Sequence, residues 1–408
     1  MAAVCCGLLL LGPAVATAAP APRPPAQQNE RGRGALVSAE KLYTLATPEA
    51  VTAELGAAGF GSDGVRYGVV AYRLLYRTVD PHGVPTTASG LLVLPLTRAE
   101  RLQTVSFAHG TAVDRNDAPS MPGGRFGSAP AIAHAASGAA AVAPDYLGMG
   151  EGPGPHPWMD IGSETTASLD LLRAARAFAP RAGHTLDRSV MVTGFSQGAS
   201  AALGLGRALT AGQDDWFRLT ALAPVSGAYD FGGTELPALL GGRLDAKSGV
   251  VYAAYTLIAF NRLHHLYDRP DEVFRAPYAD TVEALFDGGH TGEQVMAGTP
   301  DTLDELLTDH ARALLAHPAG ALADALRTTD AVCTDWTPSA PVRLYEASGD
   351  EQAVTANTDR CRAALAGNGV SVPVVDVGAL DYQDSRHLGS DVASVPSIVR
   401  WFSELRGA

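Results

Sequence analysis

The segment Gly194–Gly198 constrains the fold more than any other part of the chain, because it joins an apolar run to a helix-like run. Val190–Val192 precedes it and Ala199–Leu205 follows it, with Ser196 at its centre. Glycines two positions before and two positions after a serine allow the backbone to reverse sharply. The pattern predicts a strand, a tight turn and a helix, with the Ser196 hydroxyl exposed as a candidate nucleophile.

A serine in such a turn requires a carboxylate later in the chain, just after a strand. Pro341–Tyr345 has the composition of a short strand, and Asp350 lies in the loop that leaves it. We therefore predict Asp350 as the catalytic acid. The adjacent Glu351 is the nearest alternative.

The catalytic base is predicted from position in the chain. His387 is the only histidine after Asp350, and it follows the strand-like run Val372–Val377. A final helix over Ala393–Leu405 is expected beyond it. The order serine, aspartate, histidine then matches one of the known arrangements of serine hydrolases.

An oxyanion hole requires two backbone N–H groups, one from the residue after the nucleophile and one from an earlier strand end. Gln197 supplies the first group. The second is assigned to Thr111, because Thr104–Ala108 reads as a buried strand and the glycine at position 110 allows close approach of the backbone.

Several motifs from Tyr67 onward together carry a family resemblance: His109-Gly110, Pro144–Gly150, His156-Pro157, Gly194–Gly198, Trp336–Pro338, Asp350 and His387. This set resembles the secretory lipase family of α/β-hydrolases and its bacterial secreted-esterase relatives. The resemblance implies a serine hydrolase that acts on small-molecule or lipid carboxylic esters, with a helical cap over the site.

The hydrophobic pattern agrees with an α/β fold. An antiparallel hairpin opens the domain, and buried parallel strands alternate with helices after it. We predict a mostly parallel, doubly wound sheet formed by residues 41–231 and 330–408. Residues 232–329 show helical periodicity without a strand-like run, which predicts an inserted helical cap.

The first residues read as a targeting segment. Val4–Leu11 is apolar, and Ala16–Ala18 has the small-x-small pattern of a cleavage site. We predict a signal peptide over residues 1–18, a flexible proline-rich leader over residues 19–40, and a secreted protein with no stable membrane insertion after cleavage. The alternative is an uncleaved N-terminus that anchors the protein.

Removal of the signal leaves two cysteines, Cys333 and Cys361. An even count suits an oxidising compartment, so these two are the candidate disulfide. Two buried free thiols are the alternative.

Charge and motif content exclude several classes of function. The net charge is −13, and the basic residues form no run that would follow a phosphate backbone, so no nucleic-acid partner is expected. The chain has no His-Glu-x-x-His, no Cys-x-x-Cys and no acidic calcium loop. We expect neither a metal nor a cofactor.

These observations predict a secreted serine hydrolase that cleaves esters through a Ser-His-Asp triad and an acyl-enzyme. A serine aminopeptidase-like enzyme of the same fold would use the same three residues and is the first alternative. A non-catalytic binding protein is the second. Acyl length, alcohol group and oligomeric state cannot be read from the sequence.

Overall fold

The computed structural model describes residues 32–407, so the predicted signal peptide and the first part of the predicted leader lie outside the described residues. The strands are β1 (Leu36–Leu45), β2 (Val69–Val79), β3 (Pro85–Pro95), β4 (Arg101–Ala108), β5 (Ala140–Pro144), β6 (Thr185–Phe195), β7 (Arg218–Val225), β8 (Leu344–Glu346) and β9 (Val374–Asp376). The helices outside the insertion are α1 (Pro48–Ala57), α2 (Arg125–Ala136), α3 (Ile161–Phe178), α4 (Gln197–Thr210), α11 (Ala356–Gly367) and α12 (Arg386–Gly407). The helices of the insertion are α5 (Leu236–Leu240), α6 (Ala246–His264), α7 (Gly292–Gly298), α8 (Leu303–Leu306), α9 (Asp309–Ala316) and α10 (Gly320–Thr329).

The nine strands form one sheet in the order β1-β2-β3-β5-β4-β6-β7-β8-β9. The first three strands and the β3–β5 pair are antiparallel, whereas every pair from β5 to β9 is parallel. Parallel strands are covered on both faces, and all five residues of β5 are buried. The carboxyl ends of the parallel strands therefore meet at one edge of the sheet, where ligands bind in such folds.

Helices cover both faces of this sheet. On one face, α3, α4 and α11 pack through residues such as Leu171, Leu203 and Leu365. On the other face, α1, α2 and α12 pack through residues such as Leu55 and Phe402. This arrangement is the α/β-hydrolase fold, and the predicted fold class is confirmed.

The segment between β7 and β8 is helical. Residues 232–329, here called the cap segment, contain α5 to α10 and form a hydrophobic core together with Trp158, Met159 and Phe231. In α6, Leu257 and Ile258 are buried in this core, whereas Val251 and Tyr252 line a cavity beside the sheet. Helix α6 therefore contributes both to the hydrophobic core and to the wall of the cavity.

Two boundaries differ from the sequence-based expectation. Strand β1 begins at Leu36, inside the predicted leader, because residues 36–45 pair with β2 along the sheet edge. Helix α12 begins at Arg386 instead of Ala393, so His387 lies in the first turn of a helix and not in a preceding loop. Gly389 and Ser390 have low helix propensity, but the packing of α12 on the sheet outweighs that preference.

Cys333 and Cys361 form a disulfide, as predicted. Cys361 lies on α11, and Cys333 lies in the segment between the cap segment and β8. Both side chains are buried in the core on one face of the sheet. The bond closes a loop that contains β8 and Asp350, and thus restrains the part of the chain that carries the candidate acid.

Candidate active site

Ser196 lies at the sharp turn between β6 and α4. Its backbone has φ 57° and ψ −121°, a conformation that L-residues rarely adopt. A Cβ at position 198 would collide with the carbonyl oxygen of Ala108, and a Cβ at position 194 would collide with the carbonyl oxygen of Gly198. The flanking glycines are therefore required by close packing, and the turn has the predicted geometry.

The structure brings together the three side chains that the sequence predicts as catalytic. The Nε2 atom of His387 is 2.8 Å from the Oγ atom of Ser196. On the other side of the ring, Nδ1 lies 2.9 Å and 3.0 Å from the two carboxylate oxygens of Asp350. His387 is 2 % exposed and Asp350 is 8 % exposed. The three groups form one continuous hydrogen-bonded chain that runs from the partly exposed Ser196 to the buried Asp350.

The charged forms of His387 and Asp350 stabilise each other. Burial alone would lower the pKa of His387, but the nearby Asp350, with help from Glu351 and Glu235, raises it above its ordinary value. Burial would raise the pKa of Asp350, but His387 and the backbone N–H groups of residues 352 and 353 hold it below its ordinary value. Asp350 therefore stays ionised and holds the imidazole by its Nδ1 side.

Glu351, the alternative acid, has a different role in the structure. Its carboxylate accepts hydrogen bonds from the Ser385 hydroxyl and from the backbone N–H groups of Arg386 and His387. These groups form the start of α12. Glu351 thus fixes the helix end that carries His387, while Asp350 contacts the ring itself.

The two predicted oxyanion donors belong to segments that adjoin the nucleophile. Gln197 is the first residue of α4, where N–H groups have no partner within the helix. A Cβ at position 110 would lie 3.4 Å from the Cβ of Ser196, so the loop after β4 passes close to the nucleophile. In this loop the Thr111 hydroxyl accepts a 2.9 Å hydrogen bond from the indole N–H of Trp158.

Gln197, the residue after Ser196, forms a buried hydrogen-bonded cluster with Glu164 and His156 that was not predicted from the sequence. The side-chain N–H₂ of Gln197 donates to Glu164 Oε1 at 2.7 Å and to His156 Nε2 at 2.9 Å, while His156 Nδ1 donates to the carbonyl of Leu147. Burial raises the pKa of Glu164 to about 8 and lowers the pKa of His156 to about 4. These bonds fix the residue whose N–H is the first candidate oxyanion donor. The sequence signals were the His156-Pro157 pair of the resemblance set and the glutamate at position 164, which is the only charged residue of the stretch 161–169.

A cavity of about 660 Å³ opens beside the hydrogen-bonded chain. Its walls come from the loop after β4, from α6 and α7 of the cap segment, and from the segments next to Asp350 and His387. Phe195 and Leu388, which flank the nucleophile and the base, both line it. A substrate in this cavity would lie between the cap segment and the reactive serine.

Residues 32–407 contain neither a cluster of metal-ligand side chains nor a bilayer-spanning helix. There, no three His, Cys, Asp or Glu side chains cluster as metal ligands would. No helix in the same range is both long enough and apolar enough to cross a membrane.

Comparison with known proteins gave structural matches only. No protein-family model matches the chain, and no curated protein matches it in sequence. Among solved structures, the chain is similar to the rice cell wall degrading esterase LipA from Xanthomonas oryzae, at 25 % identity and a TM-score of 0.80. That match covers 91 % of this chain and 99 % of LipA.

Two further structures share the fold at lower identity. A Legionella pneumophila protein is 23 % identical, with a TM-score of 0.80 over 91 % of this chain and 98 % of its own. Candida antarctica lipase A in its closed state is 14 % identical, with a TM-score of 0.63 over 89 % of this chain and 90 % of the lipase. The esterase at 25 % identity supports ester hydrolysis in general, and the two less similar structures show the α/β-hydrolase fold alone.

Proposed function

We propose that this α/β-hydrolase is a secreted serine hydrolase that cleaves carboxylic esters through an acyl-enzyme. The observation that carries the proposal is the hydrogen-bonded chain from Ser196 through His387 to Asp350 at the edge of a 660 Å³ cavity. A partly exposed serine, a buried imidazole and a buried carboxylate in this order have the geometry that activates a hydroxyl for attack on a carbonyl.

The first half of the reaction forms the acyl-enzyme. His387 takes the Ser196 proton through Nε2 as the serine oxygen attacks the ester carbonyl, and Asp350 stabilises the imidazolium. The N–H groups of Gln197 and Thr111 bind the oxyanion. In a comparable enzyme, loss of one such donor raises the barrier by about 3 to 4 kcal/mol.

The second half releases the acid. His387 donates its proton to the departing alkoxide, and the alcohol leaves. The imidazole then takes a proton from a water molecule, which attacks the acyl-enzyme. Collapse of the second tetrahedral intermediate frees the carboxylic acid and restores Ser196.

Secretion is proposed on two grounds. Residues 1–18 have the sequence pattern of a signal peptide. The buried Cys333–Cys361 disulfide fits an oxidising compartment, since such bonds are rare in the cytosol. The segment of residues 232–329 is proposed as the cap that covers the acyl site.

A fluorophosphonate probe tests this function directly. We expect covalent labelling of Ser196, identified by peptide mapping, together with hydrolysis of aryl esters of graded acyl length. Ser196→Ala should lose labelling and at least about 10⁴-fold in kcat while it keeps the circular dichroism spectrum of the parent. Absence of labelling in a folded sample would favour a binding protein. Labelling with cleavage of aminoacyl amides but not of esters would favour a peptidase.

A further inference from the structure

The cavity beside Ser196 is lined by more acidic than basic side chains. Apart from the phenol of Tyr252, its ionisable lining consists of four carboxylates, one ammonium group and one imidazole: Asp117, Asp245, Glu351, Asp384, Lys247 and His109. A substrate that enters the cavity therefore meets mainly negative groups, apart from the apolar surface of residues such as Val251 and Phe126.

The one ammonium group of the lining is already occupied. Lys247 Nζ donates to the carbonyl oxygens of Thr299 and Pro300 at 2.7 Å and 2.9 Å, and lies 3.2 Å from Asp301 Oδ1. These three contacts use the three donors of an ammonium group. Lys247 therefore has no free N–H with which to bind an anionic substrate.

The imidazole of the lining carries no charge at neutral pH. Burial lowers the pKa of His109 to about 4. Its Nδ1 lies 2.7 Å from the carbonyl oxygen of Gly110, a bond that the neutral ring makes as a donor. Lys247 and His109 are therefore not available to neutralise the carboxylates of the lining.

Within residues 32–407, none of the four carboxylates is paired with an arginine, lysine or histidine. Glu351 is bonded to a hydroxyl and backbone N–H groups, and Asp245 accepts from the backbone N–H of Ser248 at the start of α6. Burial, with the neighbouring Asp114, raises the pKa of Asp117. That direction is expected for a carboxyl without a cation beside it.

On these contacts we propose that the cavity selects uncharged or cationic esters and discriminates against anionic ones; this inference rests on the esterase function proposed above. A cleft lined by charges of one sign concentrates oppositely charged ligands and repels similar ones, by factors of about 10 to 10³ in association rate. The carboxylate product of hydrolysis is subject to the same repulsion, which favours its release.

The test uses butyrate esters of three phenols that carry a para carboxamide, a para carboxylate or a para trimethylammonium group. Each kcat/KM is divided by the hydroxide-catalysed rate of the same ester, which corrects for the different leaving groups. At low salt we expect the anionic ester to fall about tenfold or more below the carboxamide ester, and the cationic ester to equal or exceed it. At high salt the gap should narrow, because ions screen exposed charges.

Two variants connect the selectivity to this cavity. Asp117→Asn and Asp384→Asn each remove one charge while they keep the shape of the side chain, and asparagine tolerates the positive φ of position 384. The double variant should raise the anionic-to-neutral ratio of kcat/KM by about threefold or more.

Asp187→Asn is the matched control. It changes the net charge by the same amount per site, but position 187 lies at the opposite end of β6, about 30 Å from Ser196 along the strand. It should leave the ratio unchanged.

The outcomes separate the two proposals. Equal corrected rates for the three esters, or a ratio that Asp187→Asn changes as much as the cavity variants do, would overturn the charge selection and leave the esterase intact. No turnover of any of the three esters would overturn the esterase function, and the charge selection with it.

Discussion

The hydroxyl of Tyr252 in the cap segment donates a 2.6 Å hydrogen bond to the side-chain oxygen of Gln352, two residues after Asp350. The backbone N–H of Gln352 donates to Asp350 Oδ1 at 2.9 Å, and its side-chain nitrogen donates to Ser385 Oγ at 3.1 Å. Ser385 in turn contacts Glu351. A single residue of the cap segment is thus connected to the segments that hold the candidate acid and base.

Tyr252→Phe should lower kcat because it removes this connection. A neutral hydrogen bond contributes about 0.5 to 1.5 kcal/mol, so a loss of about two- to tenfold in kcat is expected, measured on a neutral aryl ester. Tyr267→Phe is the control, since it removes a 2.7 Å hydroxyl bond to Glu283 elsewhere in the cap segment. An equal loss in both variants would indicate a general effect on the cap segment.

The adjacent carboxylates Asp350 and Glu351 should respond very differently to removal of charge. Asp350→Asn is expected to lower kcat by about 10⁴-fold, because the amide no longer stabilises the imidazolium or its tautomer. Glu351→Gln keeps one oxygen to accept from residues 385 to 387 and should lose less than about tenfold. Steady-state kinetics of both variants measures these two losses in kcat. A larger loss in Glu351→Gln than in Asp350→Asn would assign the catalytic acid to Glu351.

On the acid side of the pH profile, kcat/KM should fall with a midpoint above the ordinary pKa of histidine; this fall is called the acid limb. His387 must be neutral to accept the serine proton, and its pKa is raised by Asp350, Glu351 and Glu235. Activity therefore increases as pH rises through this pKa. The measurement is a pH profile on the carboxamide ester in buffers of constant ionic strength.

Glu235→Gln should move that limb to lower pH. Glu235 is 3 % exposed, and burial raises its own pKa to about 7; above that pH its negative charge helps to hold the proton on His387. Removal of this charge lowers the pKa of His387. Glu404→Gln at the far end of α12 should leave the limb in place, and a Glu235→Gln profile identical to that of the parent would contradict the coupling.

Loss of the disulfide should destabilise the protein without unfolding it in dilute buffer. The bond joins residues 28 positions apart, for which the chain-entropy account gives about 3 to 4 kcal/mol. The double variant Cys333→Ala/Cys361→Ala should show a lower denaturant midpoint. Reductant should lower the midpoint of the parent protein and leave that of the double variant unchanged.

The parts of the site that depend on short-range sequence patterns were predictable. The turn at Ser196 needs only a strand, two glycines and a helix, all within about fifteen residues. The positions of Asp350 and His387 followed from chain order and from the strands before them. Each of these signals is local, and the fold class follows from the alternation of such local elements.

The contacts that hold the site in place were not predictable, because they join residues distant in sequence. Tyr252 and Gln352 are 100 residues apart, and Gln197 and Glu164 are 33 apart. The start of α12 was missed for a related reason. Glycine and serine after His387 argue against a helix locally, and only packing against the sheet overrides that preference.

Under the proposed function, the position of His387 in the first turn of α12 also determines when the protein would become active during its synthesis. The ribosome makes Ser196 first and His387 191 residues later, after the whole cap segment has been made. A nascent chain that ends before Arg386 contains the nucleophile and both oxyanion donors but no general base. Under the proposed function, ester cleavage would begin only after α12 has been made and its apolar face has docked on the sheet, and incomplete translation products would not cleave esters.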